Sequence, residues 1–342
     1  MPTEAALDLD ALSVWLGDRG IDAAPDFASR VITGGRSNLT FLISGTSSGD
    51  LILRRPPLGS VLQSAHDVGR EYRIMRALAT SDVPVPGVID LCEDTGVIGA
   101  PFYVTQFVSG RVYATHEEGG HMPSELRAQV CQDLVSVLGR IHAVDVDEVG
   151  LGLLGRRDDY LPRQLRRWHQ QCHKSAVRAV PLIDDVHDAL AARVPPQRDT
   201  GLVHGDYRFG NVLVNDDCDI AAVLDWELCT LGDPLADLGW LLATWHQRGE
   251  DELYQSPSGH AGYFTRNEVA GAYVGATGRD VSAIGYYTTF ALWRLACIYE
   301  GIYQRYRAGV MADDGADVEE QGRIALRLVE AAHERVLEGD LG

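Results

Sequence analysis

Residues 202–237, LVHGDYRFGNVLVNDDCDIAAVLDWELCTLGDPLAD, decide how the rest of the chain is read. Two apolar runs, Val212 to Val214 and Ile220 to Leu224, flank a turn at Asn215, Asp216 and Asp217, which predicts a β-hairpin. His204, Asp206, Asn211 and Asp225 then fall on its short loops and strand ends. Polar groups delivered by rigid strands in this way are how a site is usually built.

The segment HGDYRFGN, residues 204–211, fits H-x-D-x-x-x-x-N, the spacing that phosphoryl-transfer enzymes use for a catalytic loop. The reason is geometric. Asp206 can accept a proton from an attacking hydroxyl, while Asn211 turns its amide oxygen across the loop toward a magnesium ion. Asp225, at the end of the returning strand, adds a second oxygen ligand, as a hard cation on phosphates requires. Arg208 follows Asp206 closely enough to neutralise a phosphoryl group in transfer, and an arginine facing solvent fits the same spacing. Asp and Asn residues that merely cap turns would explain the pattern if it stood alone.

Other parts stand upstream in order. Leu9, Leu12 and Leu16 follow Asp8 at helical spacing, with Gly20 as a stop, and predict a helix over 8–19. Val31–Ile32, Leu39–Ile43 and Leu51–Leu53, separated by glycine-bearing turns, read as a β-meander. Residues 66–79 carry Val68, Tyr72, Met75 and Leu78 as the apolar face of a helix, with Glu71 expected on the opposite face. Gly87–Leu91 and Pro101–Val108 read as further strands. In the first turn, Gly35, Ser37 and Asn38 could lay backbone N–H groups against phosphates. Arg54 or Arg55 ends the third strand, and Glu71 lies at a separation suited to an ion pair with it. Singly, a connecting turn, a surface arginine and a surface glutamate are the plainer readings; the ordered set carries the weight.

From Pro123 onward helical patterns dominate. Leu126, Val130, Leu134, Val137 and Ile141 form one buried stripe, and Leu161, Leu165, Trp168 and Cys172 form another within LPRQLRRWHQQCH. After the hairpin, helices are expected over 235–248, 265–274, 282–307 and 318–337, with the acidic stretch 312–320 as a loop. A chain of 342 residues exceeds one ordinary core. The expected class is α+β, with a β-rich lobe over residues 1–108 and a mainly helical lobe over 109–342.

Thirty basic against 49 acidic residues give a formal charge of −19, which argues against a sequence-independent grip on nucleic acid or an anionic membrane. Six scattered cysteines, without a CxxC pair or metal spacing, read as reduced core thiols, so disulfides and zinc sites are not expected. The acidic start MPTEAALDLDALSVWLGDRG lacks the character of a signal peptide, and no apolar run reaches spanning length. A cytoplasmic protein is expected.

The chain resembles the aminoglycoside phosphotransferase/choline kinase-like family, and within it the branch that includes the kinase-like domain fused to some acyl-CoA dehydrogenases. The resemblance rests on GGRSNLTF, LILRRPPLG, SAHDVGREYRIMRAL, VPVPGVIDLCEDTGVIGAPFYVTQFVSGRV, LVHGDYRFGNVLV and VLDWELCTLGDPLADLGWL, and it covers nearly the whole chain. It implies a bilobal protein-kinase-like fold that transfers the terminal phosphate of ATP or GTP to a small-molecule hydroxyl with Mg2+. On that resemblance Asp206 is the catalytic base, Asn211 and Asp225 bind the metal, and Glu71 orients the basic residue on the phosphates. Gln106, Phe107 and Val108 would form the hinge facing the base, and Asp233 and Asp237 would serve as N-caps that hold the loop. The family's phosphate-binding lysine has no counterpart, because the sole lysine is Lys174 in the helical part. Arg54 is the expected substitute; strand alternation sends Arg54 and Arg55 to opposite faces.

GDPLADLGW follows Asp225 almost at once, leaving no room for the activation segment that docks a peptide, so a small acceptor is expected. Arg163, Arg166, Arg167, Arg294, Arg305 and Arg307 could hold an anionic group, with a solvated helix face as the plainer reading for most. Trp168, Trp293, Tyr299 and Tyr303 are expected to pack in the core. The resemblance tips the acceptor toward a hydroxy acid or hydroxyacyl-CoA-like compound. A non-catalytic nucleotide-binding module, prompted by the missing lysine, and a true aminoglycoside phosphotransferase are the alternatives. Expected partners are the nucleotide and the acceptor, without nucleic acid or membrane; a homodimer is left open.

Overall fold

A computed structural model describes residues 7–32, 38–58, 67–174, 177–309 and 316–341. Its first lobe is a five-stranded antiparallel sheet in the order β1-β2-β3-β5-β4, built from β1 (Ala23–Ile32), β2 (Leu39–Thr46), β3 (Leu51–Arg55), β4 (Val88–Cys92) and β5 (Phe102–Gln106). Strand alternation gives the sheet two faces. Phe41, Ile43, Leu51, Leu53, Phe102 and Val104 pack with Leu12, Trp15 and Leu16 of helix α1 (Leu9–Gly17). Asp8 starts α1 by accepting from the Ala11 N–H, a cap that satisfies one of the orphan donors of the first turn. A short helix α3 (Thr95–Ile98) joins this outer layer through Ile98.

The other face carries Arg54 and Tyr103, which are register partners across β3 and β5, and meets helix α2 (Val68–Leu78). Glu71 corrects the expected face of α2, because it is buried with Val68, Tyr72 and Met75. Three residues after Val68 and four before Met75 is the same side of a helix, so the carboxylate belongs to the inward stripe.

The second lobe is helical: α4 (His116–His121), α5 (Arg127–Ala143), α6 (Tyr160–His173), α7 (Pro181–Ala191), α8 (Leu235–Ala243), α9 (Arg266–Thr277), α10 (Ile284–Arg307) and α11 (Val318–Glu338). The sequence reading missed α7, which starts with Pro181 at its first position and buries Ile183, Val186 and Leu190. The acidic stretch is not all loop: Asp317 caps α11, so Glu319 and Glu320 lie in its first turn. α8 and α10 approach so closely that a Cβ on Gly239 would stand 2.6 Å from the Tyr287 backbone, which only glycine permits. All six cysteines are buried and unpaired. Among the described residues no helix is long and apolar enough to cross a membrane.

The expected hairpin is present, and a second short ladder accompanies it. β7 (Val212–Val214) pairs with β8 (Ile220–Val223), and β6 (Gly201–Val203) pairs with β9 (Thr230–Gly232). The β6–β9 ladder was not expected because its two strands are separated by the whole β7–β8 hairpin rather than by a turn; Leu202, Val203 and Leu231 are buried in it.

Candidate active site

The loop after β6 and the end of β8 lie where the sheet faces the helical lobe. The loop turns at Gly205, whose φ of 86° and the nearby Leu228 backbone, 2.9 Å from a built Cβ, exclude a side chain. Asp237 on the first turn of α8 holds this turn: its carboxylate accepts the His204 N–H at 2.7 Å and the Gly205 N–H at 2.8 Å. His142 closes the arrangement, with Nε2 3.2 Å from Asp237 and Nδ1 2.7 Å from the Tyr273 hydroxyl. Burial pushes the Asp237 carboxyl up, but the His142 contact and the backbone N–H groups outweigh it and leave it below its ordinary value. Asp237 is therefore a clamp on the loop backbone, not an N-cap. Asp233 accepts from the Leu235 N–H and from the Tyr287 hydroxyl, the latter at 2.6 Å.

The His204 ring spans the loop. It accepts the Asp206 N–H at Nδ1, 3.2 Å away, which leaves Nε2 to donate to the Leu224 carbonyl at 2.9 Å. The adjacent Leu224 N–H donates to the Asn211 carbonyl at 2.8 Å, which ties the loop after β6 to the end of β8.

Asp206 has both oxygens engaged. Oδ1 accepts from Trp240 Nε1 at 2.7 Å and from Arg208 Nε at 3.2 Å, and Oδ2 accepts from Asn211 Nδ2 at 2.8 Å. Asn211 Nδ2 also reaches the Asp206 carbonyl, which fixes the amide and leaves Oδ1 without a bond to another described residue. The sequence reading missed Trp240. Its cue was chemical, a buried indole whose single N–H needs an acceptor, but nothing ties it in sequence to an aspartate 34 residues earlier.

Arg294 departs from the solvated-face reading. It is buried, its guanidinium lies 4.3 Å from the Trp240 ring and 5.1 Å from the Trp168 ring, and it donates to the Gly205 carbonyl at 2.8 Å. Burial lowers its pKa, and Nε has no hydrogen-bond partner among the described residues. Arg307 pairs with Glu319 on the surface. Trp168, Trp293 and Tyr303 are buried, as expected, whereas Tyr299 is half-buried against Tyr254.

Opposite this loop stands the sheet face. Arg54, not Arg55, points into the cleft: one of its terminal nitrogens lies 3.0 Å from Asp225, and its Nε is 3.4 Å from Glu71 without the alignment of a hydrogen bond. Arg55 turns to the outer layer, over the Phe41 ring. Glu71 also accepts from Asn38 at 2.9 Å and from the Tyr103 hydroxyl at 3.0 Å. Burial works against the Arg54 charge, yet Tyr103, Glu71 and Asp225 together hold its pKa above the ordinary guanidinium value. Burial also pushes the Glu71 carboxyl up against the pull of Arg54. Asp225 itself takes φ 63° and ψ 63°, a conformation a non-glycine residue enters only when its surroundings hold it there.

Glu71, Asp225 and Glu227 bring carboxylate oxygens within 4.8 Å of one another. Such an oxygen-only donor set suits a hard divalent cation. Gly35 and Ser37 lie outside the described residues. At the expected hinge, the Gln106 and Phe107 N–H groups are taken by the Gly87 and Asp50 carbonyls, whereas the Val108 N–H bonds to no other described residue.

Comparison with known proteins gives the family and the fold. The model of the phosphotransferase enzyme family, APH, matches residues 29–271. Acyl-CoA dehydrogenase family member 10 from Mus musculus is 34% identical over 304 residues, covering 87% of this chain and 28% of its own. The chain thus spans little more than a quarter of that relative's length. A Ralstonia eutropha structure classed with the aminoglycoside phosphotransferases superposes with a TM-score of 0.83 at 32% identity, over 97% of this chain and 99% of its own. Choline kinase from Cryptosporidium parvum shares the fold at a TM-score of 0.67 and 12% identity, over 96% and 97% of the two chains.

Proposed function

The chain belongs to the phosphotransferase enzyme family, and from that premise we propose that it is a magnesium-dependent O-phosphotransferase acting on a small-molecule hydroxyl, with ATP or GTP as donor. The observation that carries the reading is the fixed Asp206–Asn211 pair on one wall of a cleft whose other wall presents Arg54 and Glu71 to Asp225. We divide the lobes at residue 108, just beyond β5, so that Gln106 and Val108 flank the nucleotide base.

Bound magnesium nucleotide supplies the transferable phosphoryl group and the cation that balances its charge. Asn211 Oδ1 and Asp225 would hold that cation. Asp206 takes the proton of the acceptor hydroxyl, held in place by Trp240 and Asn211 so that little reorganisation is needed. Arg54 leaves Asp225 for the phosphates while Glu71 keeps it oriented; its fork replaces the single ammonium of a lysine. Asn38, buried and donating to Glu71, would stand on the nucleotide side of the cleft.

For the acceptor we propose an anionic hydroxy compound, a hydroxy acid or hydroxyacyl-CoA-like molecule. Arg208, beside Asp206 with its guanidinium 5.5 Å from the Tyr254 ring, would neutralise the phosphoryl group in transfer and favour an anionic acceptor there.

The test is ADP release from Mg-ATP with a panel of hydroxylated metabolites. Asp206→Ala should lower kcat by about 10^2 to 10^4 while nucleotide binding persists. If no acceptor in the panel raises ADP above that variant, the enzyme reading fails and the non-catalytic nucleotide-binding module stands.

A further inference from the structure

The spacing of the cysteines predicts no zinc site, but two histidines and an aspartate outside the cleft form a different donor set. We propose that His169 and His173 of α6 and Asp184 of α7 bind one divalent transition ion of the zinc type. His169 and His173 are four residues apart, one helical turn, so their rings stand on the same side of α6. Both direct the same atom, Nε2, at one oxygen of Asp184, at 2.7 and 2.8 Å.

Three donors that already converge on a point need only open slightly to admit an ion. In a tetrahedral zinc site with bonds near 2.0 Å, neighbouring ligand atoms stand about 3.3 Å apart, about half an ångström more than the two nitrogen–oxygen distances here, and all three donor atoms already lie within 4.8 Å of one another. His173 and Asp184 are about half exposed, so they can make that adjustment and an ion can reach them. The second carboxylate oxygen of Asp184 bonds to no other described residue and can face the metal or a water.

The frame behind the ligands is rigid. Leu165, Trp168 and Cys172 bury the adjacent stripe of α6, and Gln304 donates to the Cys172 carbonyl, which sets the rotation of the helix between the two histidines. His187 stacks on His169 with ring centroids 4.1 Å apart and limits the tilt of that ring. Two imidazoles and one carboxylate favour a borderline-soft ion over magnesium, and three protein ligands leave a position for water. The ion would tie α6 to α7, away from the carboxylates of the cleft.

The experiment titrates metal-free full-length protein with Zn2+ alone, by calorimetry and by competition with a chromophoric chelator. Wild type should bind one more equivalent than the His169→Ala/His173→Ala variant, and Asp184→Asn should weaken that equivalent at least tenfold. Zn2+ should raise the thermal midpoint of wild type and not that of the double variant. His116→Ala, in a separate histidine cluster with His246 and His260, should keep the full stoichiometry. Circular dichroism confirms that each variant is folded. Equal stoichiometry and affinity in wild type and the double variant would overturn the site, as would loss of the equivalent in His116→Ala alone.

Discussion

On the helical wall of the cleft, Asp206 and Asp237 have their oxygens taken by indole, amide, imidazole, guanidinium and backbone N–H groups at 2.7 to 3.2 Å. On the sheet wall, Arg54 meets Glu71 at 3.4 Å without hydrogen-bond alignment and reaches across the lobes to Asp225 at 3.0 Å. The first wall is rigid because each acceptor is matched by a donor whose own position is packed. The second is a set of charges whose partners can be exchanged. On the proposed function, such a site would keep its proton acceptor in place and let Arg54 change partners when a polyanion arrives.

The largest break in that contrast is Asp237→Ala. It strips a fully buried acceptor from two backbone N–H groups and His142, and should cost about 3–5 kcal/mol, read from the urea midpoint. The same clamp has a pH signature. The folded pKa of Asp237 lies below its unfolded value, so its stabilisation is present above about pH 4 and is lost as pH falls through the folded pKa. The stability gap between wild type and Asp237→Asn should therefore narrow between pH 7 and pH 3; a constant gap would place the shift elsewhere.

Arg54→Ala tests the exchangeable wall. Nucleotide affinity should fall about 10- to 100-fold, as for a lost charge-assisted contact, while the urea midpoint moves far less than in Asp237→Ala, because Glu71 keeps Tyr103 and Asn38. Arg54→Lys should recover part of the affinity. A stability loss equal to that of Asp237→Ala would erase the distinction between the walls.

The smallest change sharpens the contrast. Trp240→Phe keeps an aromatic ring, though a smaller one, and removes one of three hydrogen bonds to the Asp206 carboxylate, so kcat should fall about tenfold with KM for the nucleotide unchanged. A matching rise in KM would mean that the indole also shapes the nucleotide side of the cleft.

Much of this was legible in the sequence because it depends on local rules. Loop residues Asp206, Arg208 and Asn211 follow one another at a spacing that a single turn converts into contact, and the strand alternation of LILRR sets Arg54 and Arg55 on opposite faces. Helical periodicity by itself also puts Glu71 with Val68 and Met75, and the surface reading of that glutamate failed because a charge was taken for exposure. The pairing of β6 with β9 escaped because it joins segments on either side of the hairpin, with no turn signal between them.

The amino-acid sequence by itself determined the two-lobed α+β class, the membership in a phosphotransferase family and the order of the polar residues along the cleft. Only the tertiary structure decided that Arg54 is the arginine in the cleft, that Trp240 and Arg294 brace the loop, and that His169, His173 and Asp184 converge. The reason is physical. Periodicity and spacing report on neighbours within a turn or a strand, whereas a buried donor finds its acceptor by packing, across 34 residues for Trp240 and 89 for Arg294.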